Sequence, residues 1–334
     1  MRTKAAFICN NPDSISRVYA AGRRERVGEI TELLPDIYSA EDVTMEPEEL
    51  KNVEVVFSSW GMPALPAEQQ KRSLPNLKAV FYAAGSVQGF ARPFLENDVT
   101  VVSAWAANAI PVAEFTLAQI LLATKYYWAN TQMYKILRAK GDIPKGPGNY
   151  GEVIAILGAG QIGKRVIDLL VNNFHLDVIV WDPFLSEEHA EEMGVQKVDS
   201  IEEAFEQGLV VSNHLANLPE TREMIKARHI ASMRANATFI NTGRGATVEE
   251  AAMAEVLRER EDLTALLDVT FPEPPEPDTP LWALDNVHLS SHIAGSIGDE
   301  VLRMADFMIE EYENWRDDKA LRFAVTAKML ETMA

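Results

Sequence analysis

Short apolar runs recur along the first hundred residues, separated by polar stretches with helical spacing. Residues 5–9, 53–58, 79–83 and 100–103 have the length and composition of buried strands. Residues 14–34, 66–73 and 90–96 have the spacing of helices or parts of helices. The alternation resumes further on, with strands predicted at 153–157, 178–181, 196–198, 209–214, 238–241, 263–269 and 287–290. The clearest helix there covers 247–260. Strands alternating with helices predict parallel sheets covered on both faces, an α/β chain.

Between the two series lies a dense apolar stretch, 112–138, carrying Phe115, Leu117, Ile120, Leu121, Leu122, Tyr126, Trp128, Met133 and Ile136. Pro111 suits a first helical turn, Asn108 a cap, and Glu114 a helix start. A helix apolar on more than one face is buried between layers, domains or subunits, and plain core is one such reading. Its run 115–123 is too short to span a bilayer and reads as a packed helix. Residues 141–150 (GDIPKGPGNY) and 271–280 (FPEPPEPDTP) are turn and loop segments. Residues 298–315 are amphipathic, and their position predicts a helix running back to the first domain.

One stretch carries more than a fold signal. Residues 151–182 read as strand, glycine turn, helix, strand and then an acid. Gly158, Gly160 and Gly163 form G-x-G-x-x-G where the strand turns into a helix. The first glycine permits the turn, the second lets a pyrophosphate approach the backbone, and the third lets the helix lie on the sheet. Gln161 and Ile162 open that helix, whose N–H groups are free to bind an anion. Asp182 follows the second strand, where a carboxylate accepts both ribose hydroxyls and repels a 2′-phosphate. Pro183 and Phe184 come next, with no arginine beside them, so NAD is expected over NADP.

Composition narrows the classes. A formal charge of −19 argues against nucleic acid or an anionic membrane as partner, so an anionic substrate would need a locally basic pocket. The single Cys9 excludes an intramolecular disulfide framework, and no cysteine cluster suggests a metal. The N-terminus has too short an apolar run for a signal peptide, so a cytoplasmic enzyme is the expectation.

In a doubly wound sheet, ligands bind beyond the carboxyl ends of the strands. The residues there are His214, then Thr242-Gly243-Arg244-Gly245, then Asp268 with Glu273 five residues on, then His292. A histidine, an acid and an arginine on the edge that holds the glycine turn make a coherent catalytic set. These segments resemble a known family, the D-isomer-specific 2-hydroxyacid dehydrogenases. The similar motifs are GAGQIG with Asp182, HLANLPETREMI at 214–225, NTGRG at 241–245, LDVTFPEP at 267–274 and SSHIAG at 290–295. NAIPVAEF at 108–115 and PNLKAVFYAAGSV at 75–87 extend the resemblance over essentially the whole chain.

The resemblance implies two doubly wound domains. A Rossmann-type cofactor domain would span 104–296, and a flavodoxin-like substrate domain would be built from 1–103 and 297–334. It implies NAD-dependent reduction of a 2-oxo acid to a D-2-hydroxy acid, or the reverse, in a cleft that closes against water. Arg244 would grip the substrate carboxylate with its fixed fork. His292 would exchange the proton at the carbonyl oxygen, and Glu273 would orient the imidazole and favour its charged form. Asp268 would lie near the nicotinamide or cap its loop; His214 and Gly295 would line the cofactor site. The backbone at Ala84, Gly85 and Ser86 would bind the substrate carboxylate. Trp60, Tyr82 and Trp105 would either line the pocket or belong to the core. Dimerisation through the 112–138 region of the cofactor domain follows from the resemblance alone.

The chain departs from the family at HLANLP (214–219), at SIGDE after SSHIAG, and in the GPGNYGE lead into the glycine strand. These bear on loop shape and substrate choice more than on reaction type. Two other readings stay open: a formate-type dehydrogenase, against which Glu273 speaks, and an NAD-sensing scaffold of the corepressor kind.

Overall fold

The computed structural model describes residues 2–138 and 141–333. The chain divides into two compact units, Met1–Ala109 with Ser296–Ala334, and Ile110–Gly295. Each is built on a parallel sheet with helices on both faces.

The strands of the first unit are β1 (Lys4–Ile8), β2 (Glu32–Tyr38), β3 (Val55–Ser58), β4 (Ala79–Tyr82) and β5 (Thr100–Ser103). Their order is β2-β1-β3-β4-β5, the flavodoxin-like arrangement, and the order reverses between β1 and β3. The period of two decides which core each residue joins. Ala5, Phe7 and Phe57 face one side with Tyr19 and Tyr312, whereas Ala6, Ile8 and Val56 face the other with Leu50 and Phe94. The helix Val301–Arg316 covers the first face through Val301, Met304, Ala305, Met308 and Tyr312, spaced as one helical stripe. Its Tyr312 ring stands edge-on to Phe57 and Phe81, with centroids 5.5 and 5.6 Å away.

The second unit contains β6 (Tyr150–Leu157), β7 (His175–Trp181), β8 (Gln196–Lys197), β9 (Val210–Asn213), β10 (Thr238–Asn241), β11 (Thr264–Leu267) and β12 (Val287–Leu289). The order is β12-β11-β10-β9-β6-β7-β8, the Rossmann order with its reversal between β6 and β9. A further strand, β13 (Ala324–Val325), returns to the first unit and pairs antiparallel to β5. The doubly wound α/β class expected from the alternation is the fold observed.

Three local expectations fail. Residues 14–34 do not form one helix. Helices Pro12–Val18 and Arg23–Ile30 are separated by a turn in which Ala21 and Gly22 take positive φ, 52° and 84°. The segment that follows is β2, whose Pro35 is tolerated because β2 is the sheet's edge strand. Pro111 is not a first-turn residue: the helix runs Trp105–Ala123, and Asn108 bonds through its N–H to the Ala104 carbonyl inside it. That helix stops at a turn where Tyr126 has φ 55°, and a second helix, Tyr127–Leu137, replaces the rest of the predicted 112–138 span.

The longer helix also revises a reading of length. At 19 residues, Trp105–Ala123 is long and apolar enough to cross a membrane by composition. Ala107, Ala109, Val112, Ala113, Thr116, Ile120 and Ala123 are instead buried within the protein.

Candidate active site

The glycine turn sits at the end of β6, beside the reversal of strand order. Gly158 has φ 90°, a conformation other residues rarely adopt. A Cβ on Gly163 would meet the Gly158 carbonyl oxygen at 2.0 Å, so only glycine lets the helix Gln161–Asn173 lie against the turn. Above Gly160 nothing lies within 4 Å of a Cβ position. No side chain caps the helix, leaving its first N–H groups directed at that space. Gln161 is exposed and Ile162 half-buried there. Asp182, half-buried at the end of β7, accepts from the Ala159 N–H at 2.7 Å and from the Phe184 N–H at 2.7 Å. Each carboxylate oxygen keeps a lone pair for a hydroxyl. Open space, an uncapped helix and a held carboxylate fit a dinucleotide.

His214 follows β9, and its main chain closes on Gly158: a Cβ there would lie 3.2 Å from the His214 carbonyl. Its Nε2 is 2.9 Å from Ser212 Oγ, while Nδ1 is buried with no partner among the described residues. Burial lowers its pKa to about 4, so the ring is neutral at physiological pH.

The loop after β10 carries Thr242, Gly243 and Arg244. Thr242 Oγ1 is 3.0 Å from Thr116 Oγ1, tying the loop to the long helix. Gly243 lies against the β9 end, its Cβ position 3.1 Å from the Asn213 carbonyl oxygen. A Cβ on Gly245 would fall 2.0 Å from the carbonyl carbon of Thr270, so only glycine fits against that main chain. Arg244 is thereby rooted between the β9 and β11 loops. Its Nη1 donates to the Gly243 carbonyl at 2.7 Å. Burial pulls the guanidinium pKa down, and the Glu273 carboxylate opposes that shift.

Glu273 and His292 form the next pair. Glu273 Oε1 lies 2.6 Å from His292 Nδ1, and both side chains are about half exposed. His292 takes φ 57°. Asp268, buried at the end of β11, holds that conformation. Its carbonyl accepts from the His292 N–H at 3.0 Å, and its carboxylate accepts from Ser290 Oγ and from the Ile293 and Ala294 N–H groups at 2.6, 2.9 and 2.9 Å. Among the described residues every bond of that carboxylate goes to the loop bearing His292 and Gly295.

In the first unit, the loop after β4 is held from one side. Ser103 Oγ lies within hydrogen-bond distance of the Ala84 and Gly85 carbonyls, at 2.8 and 2.7 Å. The Ala84 N–H is committed to the Tyr82 carbonyl. Among the described residues the N–H groups of Gly85 and Ser86 donate to no acceptor. Tyr82 is buried against Phe90, with centroids 4.8 Å apart, and Trp105 stands edge-on to Phe323 at 5.4 Å. Trp60 lies under the Arg17 guanidinium at 5.3 Å.

Sequence reasoning missed Asn213, Thr247 and Glu250. Asn213 and Thr247 are fully buried polar residues that hold the Arg244 loop, and Glu250 Oε2 accepts from the Phe271 N–H at 2.9 Å. The available signal was an asparagine closing the apolar strand VVSN. Among the described residues no group of histidines, cysteines and acids is arranged to hold a metal.

Residues 118–294 match the profile of the D-isomer specific 2-hydroxyacid dehydrogenase NAD binding domain. Over 218 residues the chain is 35% identical to D-3-phosphoglycerate dehydrogenase of Methanocaldococcus jannaschii, covering 65% of this chain and 41% of that protein. It is 36% identical over 155 residues to glyoxylate reductase of Aeropyrum pernix, 46% of each. The matched regions therefore span less than half of either relative. D-mandelate dehydrogenase of Rhodotorula graminis has the same fold, with a TM-score of 0.78 at 16% identity over 98% of both chains. A nicotinamide dinucleotide is the ligand this domain type binds, and the glycine turn of the second unit is built for it. The chain belongs to the D-isomer specific 2-hydroxyacid dehydrogenase family.

Proposed function

We propose that the protein is an NAD-dependent D-2-hydroxyacid dehydrogenase, interconverting a 2-oxo acid and its D-2-hydroxy acid. The observation that carries this is the 2.6 Å Glu273–His292 pair, on the strand edge that also bears Arg244 and the glycine turn. With Nδ1 engaged by the carboxylate, Nε2 is the ring nitrogen that gives the proton to, or takes it from, the substrate oxygen. Bound NADH supplies the hydride. Arg244, its main chain fixed and its charge partly desolvated, grips the substrate carboxylate and polarises the adjacent carbonyl. Asp182 favours the unphosphorylated ribose, hence NAD.

A panel of 2-oxo acids followed at the NADH absorbance tests the reaction. The expected result is oxidation of NADH by at least one, with kcat/KM lower for NADPH. NADH binding without turnover on any member would move the protein to the scaffold reading, and equal or better kcat/KM with NADPH would remove the role given to Asp182. Tyr127, Met133, Tyr134, Ile136 and Leu137 are exposed along one short helix, and we propose this face as the contact of a homodimer. Ile136→Glu should shift the mass measured by light scattering from dimer to monomer; a monomeric wild type would refute the contact.

A further inference from the structure

The Arg244 carbonyl is held by a buried chain of side chains that extends to the neighbouring strand. Asn213, Asn241 and Thr247 are 0%, 1% and 0% exposed. Asn213 Nδ2 donates both of its hydrogens, to Asn241 Oδ1 at 3.0 Å and to Thr247 Oγ1 at 2.9 Å. Asn241 Oδ1 also accepts from the Gly243 N–H at 3.1 Å, and Asn241 Nδ2 donates to the Arg244 carbonyl at 3.2 Å. Thr247 Oγ1 donates to the same carbonyl at 2.7 Å, with a longer approach from its N–H at 3.3 Å. Asn213 Oδ1 is itself set by the Leu215 N–H at 3.2 Å.

The chain has a direction. A threonine hydroxyl has one proton. Because Asn213 occupies an acceptor site on that oxygen, the proton is left to point at the Arg244 carbonyl. The amide of Asn241 is turned the same way, since its oxygen is taken up by Asn213 and Gly243. Burial makes any unmet donor in the set costly, so the arrangement holds as a unit.

We infer that Asn213 and Thr247 are positioning residues for Arg244: they fix the main chain from which the guanidinium reaches the substrate carboxylate. The inference rests on the substrate role proposed for Arg244. Among the described residues no side-chain hydrogen bond of the set reaches the glycine turn, so its effect should fall on substrate affinity and leave NADH affinity alone. A bland alternative is that the three residues only satisfy one another and contribute stability.

The test uses Thr247→Val, which keeps shape and removes the hydroxyl, and Thr247→Ser, which restores it. Thr247→Val should raise KM for the 2-oxo acid, and Ki for the non-reducible analogue oxamate, by about tenfold. The NADH Kd, read by fluorescence, should stay within about twofold, and Thr247→Ser should return KM and Ki toward wild type. A lowered Tm with unchanged KM and Ki would overturn the inference. Arg244→Gln is the control for the premise: if it leaves KM and Ki unchanged, the substrate role of Arg244 fails. Amide hydrogen exchange over 241–247 then decides the clamp alone, faster in Thr247→Val and restored in Thr247→Ser if it exists. Unchanged exchange would overturn it.

Discussion

At the scale of single residues, the chemistry proposed here depends on a few side chains whose environments differ sharply. His292 is half exposed and bonded to a carboxylate, whereas His214 has a buried ring nitrogen with no partner among the described residues. His292→Ala should lower kcat by roughly 10²–10⁴ while NADH still binds, as measured by steady-state kinetics and fluorescence titration. Near-normal turnover in that variant would end the acid–base assignment. His214 should instead be read through stability. Its folded value of about 4 lies below the ordinary 6.5, so on acidification the unfolded chain takes up the proton first. The stability present above pH 6.5 is therefore lost as pH falls towards about 4, at up to about 1.4 kcal/mol per pH unit. Burial shifts His229 and His288 in the same direction, so the wild-type slope is a sum. Thermal melts from pH 7 to pH 4 should show a shallower fall for His214→Gln than for wild type; parallel curves would contradict the assignment.

At the scale of elements, loops carry the chemistry and neighbouring secondary structure aims them. Glu250, in the first turn of the helix Glu250–Glu259, holds the Phe271 N–H two residues before Glu273. Segment 270–277 carries few amides because four of its residues are proline, so this bond is one of few main-chain restraints available there. Glu250→Ala should lower kcat by about tenfold, and Glu250→Gln, which retains an acceptor, should recover most of it. Equal kinetics in all three proteins would show the loop is held otherwise. Much of this was legible in the sequence. The glycine turn, Asp182, the NTGRG loop and the His292 segment could be read because each couples a motif to a strand end. The restraints could not, because Asn213 and Glu250 act through partners 21 to 34 residues away and Thr247 also across a turn, and no local pattern marks such partners. Likewise β2 was hidden, since an edge strand exposes much of its length and lacks the apolar run that marks a central one.

At the scale of the whole molecule, alternation led to parallel sheets covered on both faces and the family resemblance to two doubly wound domains, while the exact course of the connecting helices followed from neither. The Trp105–Ala123 helix begins in one compact unit and ends in the other, and its interior Pro111 defeats the rule that places proline at a helix start. Small side chains flank that proline, and Ala107, Ala109 and Ala113 are almost wholly buried.

The contact between Asp182 and the glycine turn bears on redesign. The carboxylate that would discriminate between the two nicotinamide dinucleotides also braces the Ala159 amide at 2.7 Å. Replacing it with a small neutral residue to admit the phosphorylated form would loosen the turn on which either form must rest. Discrimination and affinity are thus entangled in one side chain. A swap of preference would first have to supply the Ala159 amide with another acceptor, and only then recruit a cation for the phosphate.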